Sequence, residues 1–381
     1  MLRFTEDWLV RGGPSDCYAA DFDVSAEGVG AIDAMETRGV TTIDEDGDGV
    51  DDLVEDWLAE HFAPVVYHGE KETNFPVTVD FWLARTNLSA SGTDAGTRRI
   101  VAGPLEQRQL IGQVVPAKGG RQQIESSGTR SRGKATSFFL ENVGPEFRAG
   151  EQSKPEDWVT YVHSYANRHG GITLQYWRAY AWNQAGLLGF DLSHGGDWEG
   201  IAVHLNASLA PEQVAYLQHA GIVSETGAVR WEGSHPLVWS EEGDHSSFPD
   251  PDRGRIRSSR WIQQETWTGG GVTGWNGEWR GRSGGLVNLG EKTKPRNGQL
   301  FVKYSGLWGS PKRLFIMSGY WGPAFNETGA ECSDGTPAYK SAIRYKAETN
   351  ACGRIFLRAW CDAMSDAMAL STECYAALDL P

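Results

Sequence analysis

Between about residues 64 and 325 the apolar residues come only in short runs, each cut off by Gly, Asn, Asp or Pro. A chain punctuated this way has no room for long helices. The pattern is that of many short strands, and it predicts a mainly β fold: a jelly-roll-like β-sandwich. The spacing predicts strands over 77–83, 172–182, 197–205, 236–240, 285–289 and 300–305. Helix is expected in three places. Residues 53–62 set Leu53, Val54, Trp57, Leu58 and Phe62 at helical spacing before Pro64 stops them. Residues 209–220, opened by Ala210-Pro211-Glu212, read as a short helix, and the Ala-, Leu- and Met-rich stretch 354–379 reads as a longer one. The Gly-, Ser- and Arg-rich stretch 116–134 reads as a long mobile loop or insertion. The expected organisation is a lead-in segment over 1–43, an acidic loop and helix over 44–62, the sandwich over 63–330, and a Cys-containing helical C-terminal cap over 331–381.

Charge narrows the partners. Acidic residues number 50 against 35 basic ones, a formal net charge of −15, so the protein's own field repels phosphate and argues against nucleic acid or an anionic membrane as a partner through bulk electrostatics. No run of about 18 apolar residues exists, so no transmembrane segment is expected. The stretch Met1–Asp7 lacks the basic-then-apolar pattern of a signal peptide. Cys332, Cys352, Cys361 and Cys374 crowd the last fifty residues, with Cys17 far away. Their spacing fits no zinc motif, leaving either a disulfide-tied cap or four reduced thiols. Asn-x-Ser/Thr triplets start at Asn87, Asn206 and Asn326 but add little, because such triplets arise often by chance; the cysteines favour a secreted or extracellular protein.

The strongest local signal is Asp44-Glu45-Asp46-Gly47-Asp48-Gly49-Val50-Asp51-Asp52-Leu53-Val54-Glu55. Counting from Asp44, side-chain oxygens fall at positions 1, 3, 5, 9 and 12, through Asp44, Asp46, Asp48, Asp52 and Glu55. Gly49 stands at position 6, and Val50 would give its backbone carbonyl at position 7. This is the spacing of a Ca²⁺ loop, which surrounds a hard cation with six to eight oxygens and turns sharply at a glycine. Asp51 at the usually apolar position 8 is the departure. The loop stands alone, so its expected role is to fasten the start of the following helix rather than to signal.

The second signal is His194-Gly195-Gly196-Asp197-Trp198-Glu199. On a strand, Asp197 and Glu199 share one face and Trp198 takes the other. His194 would sit at the strand mouth behind two glycines. These three could form part of a divalent-metal site or an acid–base pair; equally, Trp198 could be a core anchor beside two incidental carboxylates. His245, in the loop after 236–240, suits either a general acid–base or a turn hydrogen-bonder. Motifs for a nucleophile elbow, a zinc protease, a P-loop and a Rossmann unit are all missing from the sequence.

Leu174-Gln175-Tyr176-Trp177 with His194–Glu199, Phe62–Tyr67 with Asn74-Phe75-Pro76, Gly243–Pro249 and Leu307-Trp308-Gly309 together resemble the vacuolar-protein-sorting-sixty-two-like family over roughly 56–325. The His-x-x-Asp-Trp-Glu core is also similar to the signature of necrosis- and ethylene-inducing peptide-like toxins. That second resemblance implies a secreted β-sandwich in which His194, Asp197 and Glu199 hold a divalent cation used at lipid head groups. The toxins carry a second His where this chain has Gly196, and their further upstream Asp is matched only loosely by Asp191.

Two function classes follow. The first is a metal-dependent, toxin- or effector-like module that binds a glycan or lipid head group. Trp267, Trp275 and Trp279, in a Gly-rich segment, are the best candidates there for exposed stacking faces. The second is a metal-assisted polysaccharide hydrolase or lyase, with Asp197, Glu199 and His245 catalytic beside His194.

Overall fold

The computed structural model describes residues 43–310, less 94–95, 118–119, 125–136, 145–146, 151–153, 167–170, 185, 188–189, 192, 219–220, 226–228 and 253–257. The lead-in to residue 42, the C-terminal cap with its helix, and all five cysteines lie outside the described residues.

Among the described residues there are two α-helices, α1 (Asp52–His61) and α2 (Val79–Leu83). The strands in chain order are β1 (Val65–Gly69), β2 (Thr86–Thr93), β3 (Gly96–Val101), β4 (Val114–Ala117), β5 (Gly120–Gln123), β6 (Ser137–Asn142) and β7 (Thr160–Ala166). Then come β8 (Ile172–Asn183), β9 (Gly186–Leu187), β10 (Phe190–Asp191), β11 (His194–Leu205), β12 (Pro211–Gln218), β13 (Gly221–Glu225) and β14 (Trp231–Glu232). The last are β15 (His235–Ser240), β16 (Ser247–Phe248), β17 (Trp261–Glu265), β18 (Gly271–Thr273), β19 (Trp279–Arg282) and β20 (Leu286–Asn288).

The fold is mainly β and sandwich-like, as the punctuated sequence predicts. One sheet runs β14-β15-β1-β17-β18-β19, with β16 also on β15; the other runs β13-β12-β11-β8-β7-β20. Between them lies a core of Val66 and Val238 from the first sheet and Leu174, Tyr176, Ile201, Val203, Val214 and Tyr216 from the second. Helix α1 closes one end of this layer with Val54, Leu58 and Phe62. The second sheet is covered on its other face as well. There Trp177, Ala179 and Trp198 meet α2, the small β3-β2-β6 sheet and the segment around Phe301 and Trp308. Cover on both faces explains why β8 and β11 read as continuous buried runs instead of alternating ones.

Five expectations are corrected. Residues 77–83 are not a strand: Pro76 bridges Tyr180, then Thr78 accepts from Phe81 N at 3.0 Å and caps α2. The helix expected over 209–220 is not formed by its described residues, 209–218. Asn206 Oδ1 accepts from Ser208 N and Ala210 N, Leu209 takes φ +60°, and the chain turns back as β12 against β11. Residues 300–305 form a short 3₁₀ turn at Leu300–Lys303. The stretch 116–134 begins inside the β4–β5 hairpin rather than as a loop. Strand β11 also starts earlier than expected, so His194 is paired with Asn183 inside the ladder rather than placed at a mouth.

Candidate functional site

The two sequence signals become two separate clusters. At 44–55 the backbone wraps around its own carboxylates. Asp44 accepts from Gly47 N at 2.6 Å and Gly49 N at 3.2 Å, while Asp48 accepts from Val50 N at 2.7 Å. Gly49 takes φ +94°, the left-handed turn its position demands. Val50 buries its side chain in the core beside Val54 and Leu58. Asp51, the odd residue at position 8, is the N-cap of α1: its Oδ1 accepts from Leu53 N at 2.9 Å.

Carboxylate atoms of Asp44, Asp46 and Asp48, and of Asp46, Asp52 and Glu55, converge within 4.8 Å of one another. Asp46 Oδ2, Asp48 Oδ2, Asp52 Oδ1 and Glu55 Oε1 are buried without a hydrogen-bond partner. Burial first, and then the neighbouring carboxylates, push Glu55 up to about 10 and Asp48 to about 7. Orphaned, mutually repelling oxygens held this close fit a divalent oxygen-loving cation. One protein cation already leans on the rim. Arg296, from the loop after β20, grips Asp56 with two nitrogens at 3.0 and 3.1 Å and reaches Glu55 at 3.2 Å.

The second cluster lies between the two sheets. On β11, Asp197 and Glu199 do share a face, in file with Ile201 and Val203, and Trp198 points into the opposite core. Across the ladder stand Tyr180, opposite Asp197, and Arg178, opposite Glu199. The intersheet layer therefore changes along its length from apolar to charged. His245 enters it from the loop joining β15 to β16, with φ +63°. Its Nδ1 lies 3.0 Å from Asp197 Oδ2, its Nε2 lies 3.8 Å from Glu72 Oε1, and its ring stacks on Tyr180 with centroids 3.8 Å apart.

Each partner is itself held. Asn183 Nδ2 donates to Asp197 Oδ2 at 3.1 Å. Glu72 accepts from Thr73 N and Asn74 N, both at 2.7 Å, and from Gly243 N at 2.8 Å. Burial alone would lower the His245 imidazole, but Glu72 and Asp197 outweigh it and push it up to about 9. Burial alone would raise Glu72; the His245 charge and the backbone donors hold it below the usual carboxylate range. His68 from β1 completes the layer, bonded to Gln264 at 3.0 Å, and burial, with Arg178 nearby, lowers it to about 4.

Of the residues singled out in the sequence, Asp197 and His245 meet directly. His194 stands on the same strand, its Nδ1 3.0 Å from Gly196 O. His194, Asp197 and Glu199 do not offer ligand atoms within 4.8 Å of one another; among the described residues, only the acidic loop does so. All four side chains are buried. Asp191, on β10, belongs to a separate two-stranded sheet with β9. Glu72, Arg178, Tyr180 and His68 escaped the sequence reading. Glu72 does lie between two of the family-like stretches, Phe62–Tyr67 and Asn74-Phe75-Pro76, which is the one signal that pointed near it.

No family model matches the chain, and no curated protein matches it. Among solved structures, the chain is similar to Necrosis and Ethylene inducing Protein 2 from the causal agent of cocoa's Witches Broom disease. That likeness has 16% identity over 57% of this chain and 79% of that one, with a TM-score of 0.26. It is similar to NLPPya in complex with glucosamine at 13% identity, over 69% of this chain and 83% of that one, with a TM-score of 0.29. It is similar to NLPPya in complex with mannosamine at 14% identity, over 68% and 81%, with the same TM-score of 0.29. At such TM-scores no ligand, metal or activity carries across to this chain.

Proposed function

We propose that this chain is a secreted, metal-dependent β-sandwich protein that binds a glycan or a lipid head group, as a toxin-like effector would. Metal dependence rests on one observation: two carboxylate triplets of the 44–55 loop that share Asp46 converge, and Asp46, Asp48, Asp52 and Glu55 each keep a buried oxygen without a hydrogen-bond partner. A calcium ion there would be held by Asp44, Asp46, Asp48, Asp52, Glu55 and the Val50 carbonyl. It would fix the loop to α1, whose inner face is part of the intersheet core. No helix among the described residues is long and apolar enough to cross a membrane, which suits a protein that meets a membrane or cell wall from outside.

A second divalent cation at His194, Asp197 and Glu199 belongs to the same proposal, with head-group or sugar oxygens completing its shell. It requires these side chains to turn towards one another from the positions described above. The same residues could serve a polysaccharide hydrolase or lyase, but binding is the better reading. Asp197 is engaged by His245 and Asn183, and would have to release both before it could act as a general acid or base.

The test is a screen of glycans and lipid vesicles with and without chelator, run beside a reducing-sugar release assay. Chelator-sensitive binding without product, lost in the combined variant His194→Ala, Asp197→Asn, Glu199→Gln, is the expected result. Turnover abolished by Glu199→Gln or His245→Ala would establish the enzymatic alternative. A combined variant that binds as the parent does would refute the second metal site.

A further inference from the structure

Strand alternation and ladder register single out the outer face of the seven-stranded sheet. Val66, Val238, Ile262, Gln264 and Val272 point inward and are buried. Their neighbours one position along therefore face out. Register sets those neighbours side by side across six strands: Phe248 beside Trp239, Trp239 beside Tyr67, Tyr67 beside Gln263, Gln263 beside Thr273, and Thr273 beside Trp279. Tyr67 and Trp239 confirm the shared face by stacking, with centroids 5.0 Å apart and planes 12° from parallel. Trp239 itself is 6% exposed, with the Arg230 guanidinium 5.4 Å from its centroid, so the accessible rings lie from Tyr67 towards Trp279.

The open end of this row is its most exposed part. Trp279 is 61% exposed and Trp275, in the β18–β19 turn, is 48% exposed. Both rings are positioned. Trp279 lies over the backbone of Gly271, in space that any side chain there would occupy. The Arg260 guanidinium sits 3.9 Å from the centroid of Trp275 and is itself tied to Glu70 at 2.6 Å. From Tyr67 on β1 to Trp279 on β19 is three strand spacings, about 14 Å.

We infer that this face is a binding surface for an uncharged, extended polysaccharide, separate from the metal-dependent site. Flat rings offer stacking faces to the C–H surfaces of pyranose units, and Gln263 and Thr273 between them exchange hydrogen bonds with hydroxyls. The length suits several sugar units rather than one. The charges select an uncharged chain. Arg260 is engaged by Glu70, Glu265 on the same sheet accepts from Gly271 N, and the whole protein carries −15, so a polyanion meets long-range repulsion that Arg230, Arg280 and Arg282 offset only in part. Arg280 and Arg282 on the edge strand β19 guard against edge-to-edge pairing, which leaves the face to a ligand rather than to a second copy.

The experiment is retardation of the full chain in native gels containing hydroxyethylcellulose, with titration by a β-1,4-linked glucose hexamer followed by tryptophan fluorescence, all in chelator. The parent is expected to bind saturably without added metal. Trp279→Ala and Trp275→Ala each weaken binding about tenfold, the double variant abolishes it, and Trp279→Tyr retains most of it. Thermal unfolding is unchanged, because both rings are exposed. Polygalacturonate in place of the uncharged chain is expected to bind weakly or not at all. The inference is overturned if the parent ignores the uncharged chains, or if the double variant binds them as well as the parent does. It is equally overturned if the double variant loses lipid-vesicle binding or self-association instead. Because the assay contains chelator, failure of the metal-dependent site leaves this result untouched.

Discussion

Asp197 takes a hydrogen bond from His245 Nδ1 at 3.0 Å, joining β11 to a loop 48 residues further along the chain. The bond spans the two sheets at the charged end of their interface, and Glu72 closes the other side of the imidazole at 3.8 Å. A buried cation between two buried carboxylates is stable only while both anions stay in place.

Asp197→Asn therefore leaves the His245 charge half-compensated in the interior. The expected loss of unfolding free energy is about 3–5 kcal/mol. Chemical denaturation measures it, and a loss within the scatter of surface substitutions would show that the pair does not bind the sheets together.

His68 gives the fold a pH dependence. It is fully buried against Gln264, with Arg178, Glu72 and His245 as its charged neighbours, and its pKa is lowered to about 4 from an ordinary 6.5. The unfolded chain binds the proton more readily, so this contribution is complete above pH 6.5 and is lost as pH falls towards 4. It is worth about 3 kcal/mol across that window. Denaturant midpoints at pH 7 and pH 4.5 should differ less in His68→Gln than in the parent; equal differences would contradict the assignment.

Arg296 neutralises Glu55, one of the proposed calcium ligands, together with its neighbour Asp56. Arg296→Met removes the contacts to Asp56 and Glu55 and should cost about 1–2 kcal/mol in chelator. With calcium present the cost should be smaller, because the ion takes over the neutralisation. Melting curves of both proteins in both conditions decide this, and a cost that does not depend on calcium would separate Arg296 from the metal site.

Gly196 precedes Asp197 at φ +81°, with the carbonyl of Trp308 and the ring of Trp82 filling the space a side chain would need. Gly196→Ala should destabilise by about 2 kcal/mol or more, through backbone strain and through displacement of the Trp198 core. Thermal unfolding reports it, and an unchanged midpoint would mean the strand relaxes freely at this point.

What was legible in the sequence was local. The acidic loop and α1 are specified by consecutive residues, and the aromatic-rich run of β8 and the Ile201-Ala202-Val203 run of β11 mark buried strands wherever they pair. The misread segments turned on single side chains. Thr78 starts a helix where 77–83 read as a strand, and Asn206 folds a turn that returns 211–218 as one. The charged layer was legible only in part. Alternation placed Asp197 and Glu199 on one face, but only ladder register sets Arg178 and Tyr180 across from them. Glu72 and Arg296 arrive from loops whose position no periodicity encodes. The tryptophans divide in the same way: Trp198 and Trp177 are core, and the exposure of Trp275 and Trp279 agrees with their place in a Gly-rich hairpin.

The central claim is that the 44–55 loop holds a divalent cation on which the protein depends. Calorimetric titration of Ca²⁺ into chelator-treated protein tests it most directly. Saturable binding at a single site, abolished in Asp46→Asn/Glu55→Gln, is the expected result. The absence of any saturable heat up to millimolar calcium, from a protein that remains folded, would contradict it.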